Sequence, residues 1–254
     1  MASKHEFALY VTDLHKLSAT NIFTLQDPEL VVRVNSVLRL QPGESCLLFN
    51  ATHHARCKVR SVNKKSVEFE LLEKQENAVL QPKATCFLPL LKRDDLETAL
   101  YAAVELGASA VQLVLTEKVQ RAWGGAKEFE RLQRIMIAAA EQSKNFALPT
   151  LHAPIALEQA LDTINKQSAK LKAAKLFFDL GGTSGLSVMQ ELSAQKHAEI
   201  ILLVGPEGDL TDIEKQLIAQ QGFVTCTLTP TILRAVSAFA LGLGLVRSCL
   251  SRSS

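Results

Sequence analysis

A short glycine-bearing loop, Gly-Pro-Glu-Gly at residues 205–208, is the first candidate for chemistry in this chain. It follows a continuous apolar run, residues 200–204, which is short enough to be a strand buried on both faces. Thr211 can cap the helix that follows, and Glu214 completes a capping box. Such a loop presents free backbone N–H groups at the carboxyl end of a sheet, where open α/β sheets bind ligands. An ordinary strand-to-helix turn has the same pattern, so the loop alone leaves both interpretations open.

Arg234 is the second candidate, because it is the one charged residue at the start of an otherwise apolar helix. The preceding residues predict a strand from Val224 to Leu228 and a turn at residues 229–230. A guanidinium stays protonated and can orient a base or a phosphate. The alternative is an arginine at the edge of the core whose charged end reaches water.

Basic or titratable side chains alternate with small apolar ones along one predicted strand, at His54, Arg56, Lys58 and Arg60. Period-2 alternation places all four on one face of the strand. No acid occurs between residues 51 and 67, so these charges are expected to repel one another, and an anionic partner would relieve that cost. Nucleic-acid phosphates are such a partner, and a merely solvated outer face is the alternative.

The composition predicts a globular protein, because 47% of the 254 residues are apolar and the net charge is +2. Any basic surface for a nucleic acid must therefore be local. The five cysteines are scattered and never spaced Cys-x-x-Cys, which argues against a zinc site or a disulfide framework. The first residues do not resemble a secretion signal, and the longest late apolar run, Ala238 to Val246, is too short to span a bilayer. We therefore expect a cytoplasmic protein that neither holds a metal nor associates with a membrane.

The pattern of predicted elements changes along the chain. The first 75 residues or so contain short alternating strands between turns, including one over Val31 to Leu40, and suggest a small barrel. The polar stretch from Lys74 to Thr85 is predicted to be a linker. Beyond it, strands alternate with helices, which is typical of a parallel α/β sheet. A glycine pair at residues 181–182 closes one of these strands and would allow close approach of a ligand or form a plain turn.

The C-terminal motifs resemble those of the SPOUT methyltransferases, specifically the bacterial 16S ribosomal RNA (uridine-N3) methyltransferase family. That family carries a Gly-Pro-Glu-Gly-Gly loop and a Leu-Gly-x-x-Ile-Leu-Arg-Thr-Glu-Thr-Ala segment. The matching residues here are Gly205, Pro206, Glu207, Gly208, Leu228, Ile232, Leu233 and Arg234. Further matches are Val37-Leu38-Arg39-Leu40 before Pro42-Gly43, and Glu141-Gln142-Ser143.

This resemblance implies a PUA-like RNA-binding β-barrel at residues 1–75 and an α/β SPOUT domain with a trefoil knot at residues 84–254. It also implies a homodimer that binds S-adenosylmethionine and methylates N3 of one uridine in 16S ribosomal RNA of the small ribosomal subunit. The expected cofactor-binding residues are Leu180, Gly181, Val204, Gly205, Pro206, Gly208, Leu228, Thr229, Ile232 and Leu233. The expected catalytic residues are Arg234 and Glu207, and the expected RNA-binding residues are Arg39, Arg56, Lys58 and Arg60.

Departures from the family pattern keep two alternatives open. The family's Thr-Glu after the arginine is Ala235-Val236 here, its helix lysine is Ala102, and its last loop glycine is Asp209. The alternatives are a catalytically impaired RNA-binding relative and a SPOUT methyltransferase that acts on another RNA. If activity survives, Glu207 is the expected orienting partner of Arg234, since Val236 offers no hydrogen bond.

Overall fold

The structure, a computed structural model, describes residues 6–14, 21–168 and 173–251, with side chains described for all of these except residues 165–168. The chain divides into two compact units. The first comprises Met1–Ala78 and Ala140–Ala147, and the second comprises Val79–Ala139 and Leu148–Ser254. The predicted domain limits, 1–75 and 84–254, stay a prediction.

The first unit is built on a five-stranded sheet. Its strands are β1 (Phe7–Tyr10), β2 (Ile22–Leu25), β3 (Ser45–Phe49), β4 (His53–Val62) and β5 (Val67–Glu76). They lie in the order β1-β3-β4-β5-β2, with β1 and β3 parallel and the other pairs antiparallel. Ala55, Cys57 and Val59 of β4 are buried, while the basic residues between them are exposed. The predicted alternation of this strand is therefore confirmed.

The stretch from Val31 to Leu40 is largely helical, so the strand predicted there is wrong. Helix α1 (Pro28–Val32) continues directly into a π-helical turn (Arg33–Leu38). Asp27 Oδ1 accepts a hydrogen bond from Leu30 N at 3.0 Å, and Pro28 occupies the first turn. A capping acid followed by proline is a helix-start signal, and here it outweighs the alternation of apolar residues.

Glu141, a buried acid near the carboxyl end of the helix over residues 125–143, belongs to the first unit. Glu141 is 3% exposed, and its carboxylate accepts hydrogen bonds from Arg33 Nη1 at 2.9 Å, from Arg33 Nη2, and from Tyr10 N at 3.1 Å. The ring of Phe146 lies 4.6 Å from that of Phe49 and 4.9 Å from that of His54. Residues 140–147 therefore contribute both an ion pair and aromatic packing to this unit.

The second unit is a six-stranded, all-parallel sheet with helices between its strands, which confirms the predicted α/β class. Its strands are β6 (Lys83–Pro89), β7 (Ala110–Leu115), β8 (Thr150–Ala156), β9 (Ala173–Ser184), β10 (Glu199–Val204) and β11 (Val224–Thr227). Its order is β11-β9-β10-β6-β7-β8. The helices are α2 (Arg93–Glu105), α3 (Gly125–Ser143), α4 (Leu157–Ser168), α5 (Gly185–Ser193), α6 (Asp212–Gln220) and α7 (Ala235–Leu250).

Strand β10 lies between β9 and β6, and its residues 200–204 are at most 1% exposed, as the apolar run predicts. The predicted linker from Lys74 to Thr85 is shorter in the structure, because β5 extends to Glu76 and β6 begins at Lys83. Across the described ranges, no helix is long and apolar enough to cross a bilayer. The same residues contain no group of three or more His, Cys, Asp or Glu side chains arranged to hold a metal ion.

Candidate functional site

The loop after β10 is fixed by the helix that follows it. Thr211 Oγ1 accepts a hydrogen bond from Glu214 N at 3.3 Å, and Glu214 Oε2 accepts one from Thr211 N at 2.8 Å, so the predicted capping box is confirmed. The other carboxylate oxygen, Glu214 Oε1, accepts a hydrogen bond from Glu117 N at 2.8 Å. Because Glu117 lies in the loop after β7, one glutamate holds two loops at the carboxyl edge of the sheet.

Asp209 keeps the loop in a conformation that usually requires glycine. Its φ is +60°, in the left-handed region, at the position where the resembled family has its last loop glycine. Leu210 N donates to Asp209 Oδ1 at 2.7 Å, and Lys215 Nζ donates to Asp209 Oδ2 at 3.1 Å. Desolvation of the carboxylate by burial raises its pKa, but these hydrogen bonds outweigh that effect and lower the pKa of Asp209 below its ordinary value. Aspartate is among the few residues that tolerate this backbone, so the departure preserves the loop.

Asp209→Ala is therefore expected to lower the free energy of unfolding by about 1–2 kcal/mol, the cost of a left-handed residue with a Cβ and no local hydrogen bond. Asp209→Gly removes the same side chain without that steric cost, and we expect it to unfold at a urea concentration close to that of the wild type. Urea denaturation of the three proteins makes the comparison. Equal stability of the alanine and glycine variants would show that the backbone angle is not what matters.

Strand β9 pairs with β11 in two separated stretches. The register shifts between Thr225 and Cys226, and residues 178–182 leave the ladder at that point. Gly182 then returns so close to β11 that a Cβ on it would lie 2.2 Å from Thr225 O. Gly182 N donates to Thr227 Oγ1 at 3.0 Å. The sequence left open whether this glycine pair admits a ligand or forms a plain turn, and for Gly182 the close neighbour is strand β11 itself.

The expected cofactor-binding residues lie at the carboxyl ends of three neighbouring strands. These ends meet at one edge of the sheet, because β11, β9 and β10 are adjacent and parallel. Leu180 and Gly181 lie in the segment of β9 that leaves the ladder, Val204 ends β10, and Gly205, Pro206 and Gly208 follow it. The residues that follow β11 are Leu228, Thr229, Ile232 and Leu233. The structure brings all ten to this edge, and their role in binding stays a prediction.

This edge has both space and free polar groups. A Cβ on Gly181 would meet nothing within 4 Å, and one on Gly205 would meet nothing nearer than 3.9 Å. The side chain of Ile232 is 83% exposed. Among the described contacts, neither Ile232 N nor Leu233 N donates a hydrogen bond. Apolar surface beside unpaired N–H groups fits a ligand with a flat ring and a polar sugar, such as S-adenosylmethionine.

The two expected catalytic residues contact different partners in the structure, so the expected pairing of Glu207 with Arg234 is wrong. Glu207 Oε1 accepts a hydrogen bond from Lys92 N at 3.1 Å. Arg234 Nη1 instead lies 3.8 Å from Asp95 Oδ1, with the arginine side chain 76% exposed. Both partners come from the start of α2, and nothing in the local sequence shows that this helix begins beside the two loops.

An ion pair that sequence reasoning missed joins the loop after β7 to the first turn of α3. Arg121 Nη2 lies 2.7 Å from Glu128 Oε1, and the two side chains are 19% and 7% exposed. Arg121 Nε donates to Leu91 O at 2.6 Å, and Gly124 N donates to Glu128 Oε2 at 2.7 Å. Desolvation works against ionisation, but the hydrogen bond from Arg121 leads the effects that lower the pKa of Glu128. The available signal was an acid in the first turn of an amphipathic helix, which is common and therefore weak.

Acidic side chains lie beside the basic face of β4, so the prediction that its charges repel one another unrelieved is wrong. Arg56 Nε donates to Glu6 Oε1 at 2.8 Å. Within the sheet, Arg56 is paired in register with Glu73, and Lys58 with Glu70. The acids come from β5 and from the chain before β1, beyond the window that lacked them. The remaining predicted RNA-binding residues, Arg39 and Arg60, are also exposed.

Comparisons with known proteins match both units. The model of an RNA methyltransferase domain family matches residues 79–247, and that of an RNA methyltransferase PUA domain matches residues 36–72. The chain is similar to "Ribosomal RNA small subunit methyltransferase E" of Bacillus subtilis, with 29% identity over 83% of this chain and 84% of that protein. It is also similar to the protein of that name from Rickettsia conorii, with 25% identity over 91% and 92%.

A solved structure of similar fold is that of Ribosomal RNA small subunit methyltransferase E from Neisseria gonorrhoeae bound to S-adenosyl methionine. Its TM-score is 0.82 at 25% sequence identity, and the match covers 97% of this chain and 99% of that one. A putative methyltransferase from Legionella pneumophila, also solved with this cofactor, has a TM-score of 0.81 at 24% identity, with coverage of 98% and 100%.

Proposed function

Because this chain belongs to the RNA methyltransferase domain family, we propose that it transfers the methyl group of S-adenosylmethionine to N3 of a uridine in 16S ribosomal RNA. The observation that carries the proposal is the likeness to small-subunit ribosomal RNA methyltransferases along more than four fifths of the chain. The match to a PUA domain of RNA methyltransferases supports an RNA substrate. The protein acts in the cytoplasm on the small ribosomal subunit.

The residues of the chain have three tasks in this reaction. S-adenosylmethionine supplies an electrophilic methyl group, so no covalent enzyme intermediate is required. The segment of β9 that leaves the ladder and the loops after β10 and β11 bind the cofactor and hold it against the base. Arg234, whose guanidinium is exposed at this edge, stabilises the negative charge that develops when uridine loses its N3 proton. Glu207, an exposed carboxylate on the loop after β10, accepts that proton.

The direct test is transfer of tritium from labelled S-adenosylmethionine to small ribosomal subunits that lack N3-methyluridine. Nucleoside analysis of the product should show N3-methyluridine in the 16S RNA. Label that appears in a different RNA would favour the SPOUT methyltransferase that acts on another RNA. A protein that binds cofactor and RNA yet transfers nothing would be the catalytically impaired relative. Its first positions to restore would be Ala102, Ala235 and Val236.

We expect a homodimer, because exposed leucines lie on two helices that pack together. Leu186 of α5 is 57% exposed and Leu241 of α7 is 45% exposed, and a Cβ on Gly185 would lie 3.1 Å from Leu245 Cδ2 of α7. Sedimentation velocity should give a dimer at micromolar concentration for the wild type and a monomer for Leu241→Glu. Ala219→Glu, an added charge at an exposed position on α6, shows whether a new surface charge anywhere has this effect. A monomeric wild type would refute the expectation.

The exposed cations of β4 are expected to contact RNA phosphates. Replacement of Arg56, Lys58 and Arg60 by alanine should weaken RNA binding and reduce the slope of log K against log salt by about two to three units. Cofactor affinity should stay unchanged. Lys64→Ala/Lys65→Ala, at the turn after β4, is the matched control. Equal slopes for the triple variant and the wild type would show that this face is merely solvated.

A further inference from the structure

The first turn of α2 contacts both residues to which catalysis is assigned. Lys92, the N-cap of this helix, donates its backbone N–H to Glu207 Oε1 at 3.1 Å. Three residues later, Asp95 Oδ1 lies 3.8 Å from Arg234 Nη1. Residues three apart on a helix lie on the same side of it. One short segment therefore faces the loop after β10 and the start of α7 together.

We infer that Asp95 is a positioning residue for Arg234, and that it holds the guanidinium toward the cofactor edge of the sheet. This inference rests on the proposed function. Asp95 is the better fixed of the two, because its side chain is 28% exposed on a helix, whereas that of Arg234 is 76% exposed. Val236, two residues after the arginine, is a buried apolar side chain and offers no hydrogen bond.

Three acids in or next to the loop after β10 already have other partners. Glu207 is bound to Lys92 N, Asp209 pairs with Lys215, and Glu214 belongs to the capping box. The neighbouring acid Asp94 is exposed, and the described part of the chain contains no ion pair to its carboxylate. Asp94 and Asp95 share the first turn of α2, so both interact with the helix dipole, but Asp95 is the one within reach of Arg234.

An exposed pair with a single contact contributes little to folding. Its effect on the reaction is different, because an arginine with many rotamers must be oriented before the base reacts. Loss of the carboxylate should therefore lower the rate of methyl transfer and leave the binding of cofactor and RNA as they are.

The test compares Asp95→Asn with its matched control Asp94→Asn in the tritium-transfer assay. We expect Asp95→Asn to lower kcat about tenfold with KM for the ribosomal subunit within twofold of the wild type. Asp94→Asn should stay within twofold in both constants. Asp95→Glu, which retains a carboxylate, should recover at least half of the wild-type kcat. Cofactor affinity by calorimetry and the melting temperature should be alike in all four proteins.

The outcomes separate this inference from the function on which it rests. An active wild type whose kcat is unchanged in Asp95→Asn overturns the positioning role and leaves the proposed function standing. Equal losses in Asp94→Asn and Asp95→Asn also overturn it, since helix electrostatics would then explain both. A wild type that transfers no methyl group overturns the proposed function and the positioning role together.

Discussion

Replacing Arg234 with alanine is expected to lower the rate of methyl transfer by about 100- to 1,000-fold, the usual cost of removing a group that stabilises a developing anion. The N3 proton of uridine is weakly acidic, so a cation beside the base is most effective at the moment the proton leaves. The side chain is 76% exposed and its contact with Asp95 is 3.8 Å long. Folding therefore depends little on this side chain, and the melting temperature of the variant should be close to that of the wild type.

Single-turnover transfer and calorimetric titration of S-adenosylmethionine measure this effect. Cofactor affinity should change less than twofold, because Arg234 is assigned to the base. Arg134→Ala, an exposed arginine on α3, is the control for general loss of positive charge. Glu207→Gln should cost at least tenfold, which corresponds to about 1.4 kcal/mol of transition-state stabilisation or more. A full rate in Arg234→Ala would show that the reaction does not use this cation.

Gly182→Ala is expected to have the largest effect on stability, with a loss of about 3 kcal/mol or more. The added Cβ would lie 2.2 Å from Thr225 O and 2.5 Å from Thr225 C. These neighbours are backbone atoms of β11, which cannot rotate away, so β9 and β11 must separate. Since β11 leads into the loop that carries Ile232 and Leu233, cofactor affinity should fall as well.

Urea denaturation with Gly244→Ala as the control tests the steric explanation. Gly244 is in α7, and the nearest atom to a Cβ there, outside the local helix backbone, would be Leu106 Cδ2 at 4.0 Å. That variant should be as stable as the wild type or up to about 1 kcal/mol more stable, because alanine favours a helix over glycine. If Gly182→Ala unfolded at the same urea midpoint as the wild type, β9 and β11 would accommodate the added Cβ without loss of stability.

The features predicted correctly depend on residues close together in the chain. The capping box of Thr211 and Glu214 needs three residues of separation, and the burial of residues 200–204 follows from an unbroken apolar run. The alternation of β4 is likewise a property of one strand. The strand predicted over Val31–Leu40 was wrong because a local helix-start signal, Asp27 with Pro28, was given less weight than the alternation.

The features that sequence reasoning missed depend on which distant segments become neighbours. Arg234 pairs with Asp95 rather than Glu207, because α2 begins beside α7. Arg56 is accompanied by Glu73 and Glu6, which lie outside the window that contained no acid. Periodicity assigns a side chain to a face, but it does not identify the side chain opposite. The candidate site could therefore be located in the sequence, whereas its internal pairings could not.

Because residues 140–147 belong to the first unit, that unit cannot finish folding until much of the second unit has been translated. When residue 78 has been added, Arg33 has no Glu141 to bind, and Phe49 has no Phe146 to pack against. The ribosome must add residues 79–147 first, which takes on the order of several seconds at typical elongation rates. The amino-terminal unit is therefore translated early but completed late. A fragment ending at Ala78 should be much less stable than the same unit within the whole chain.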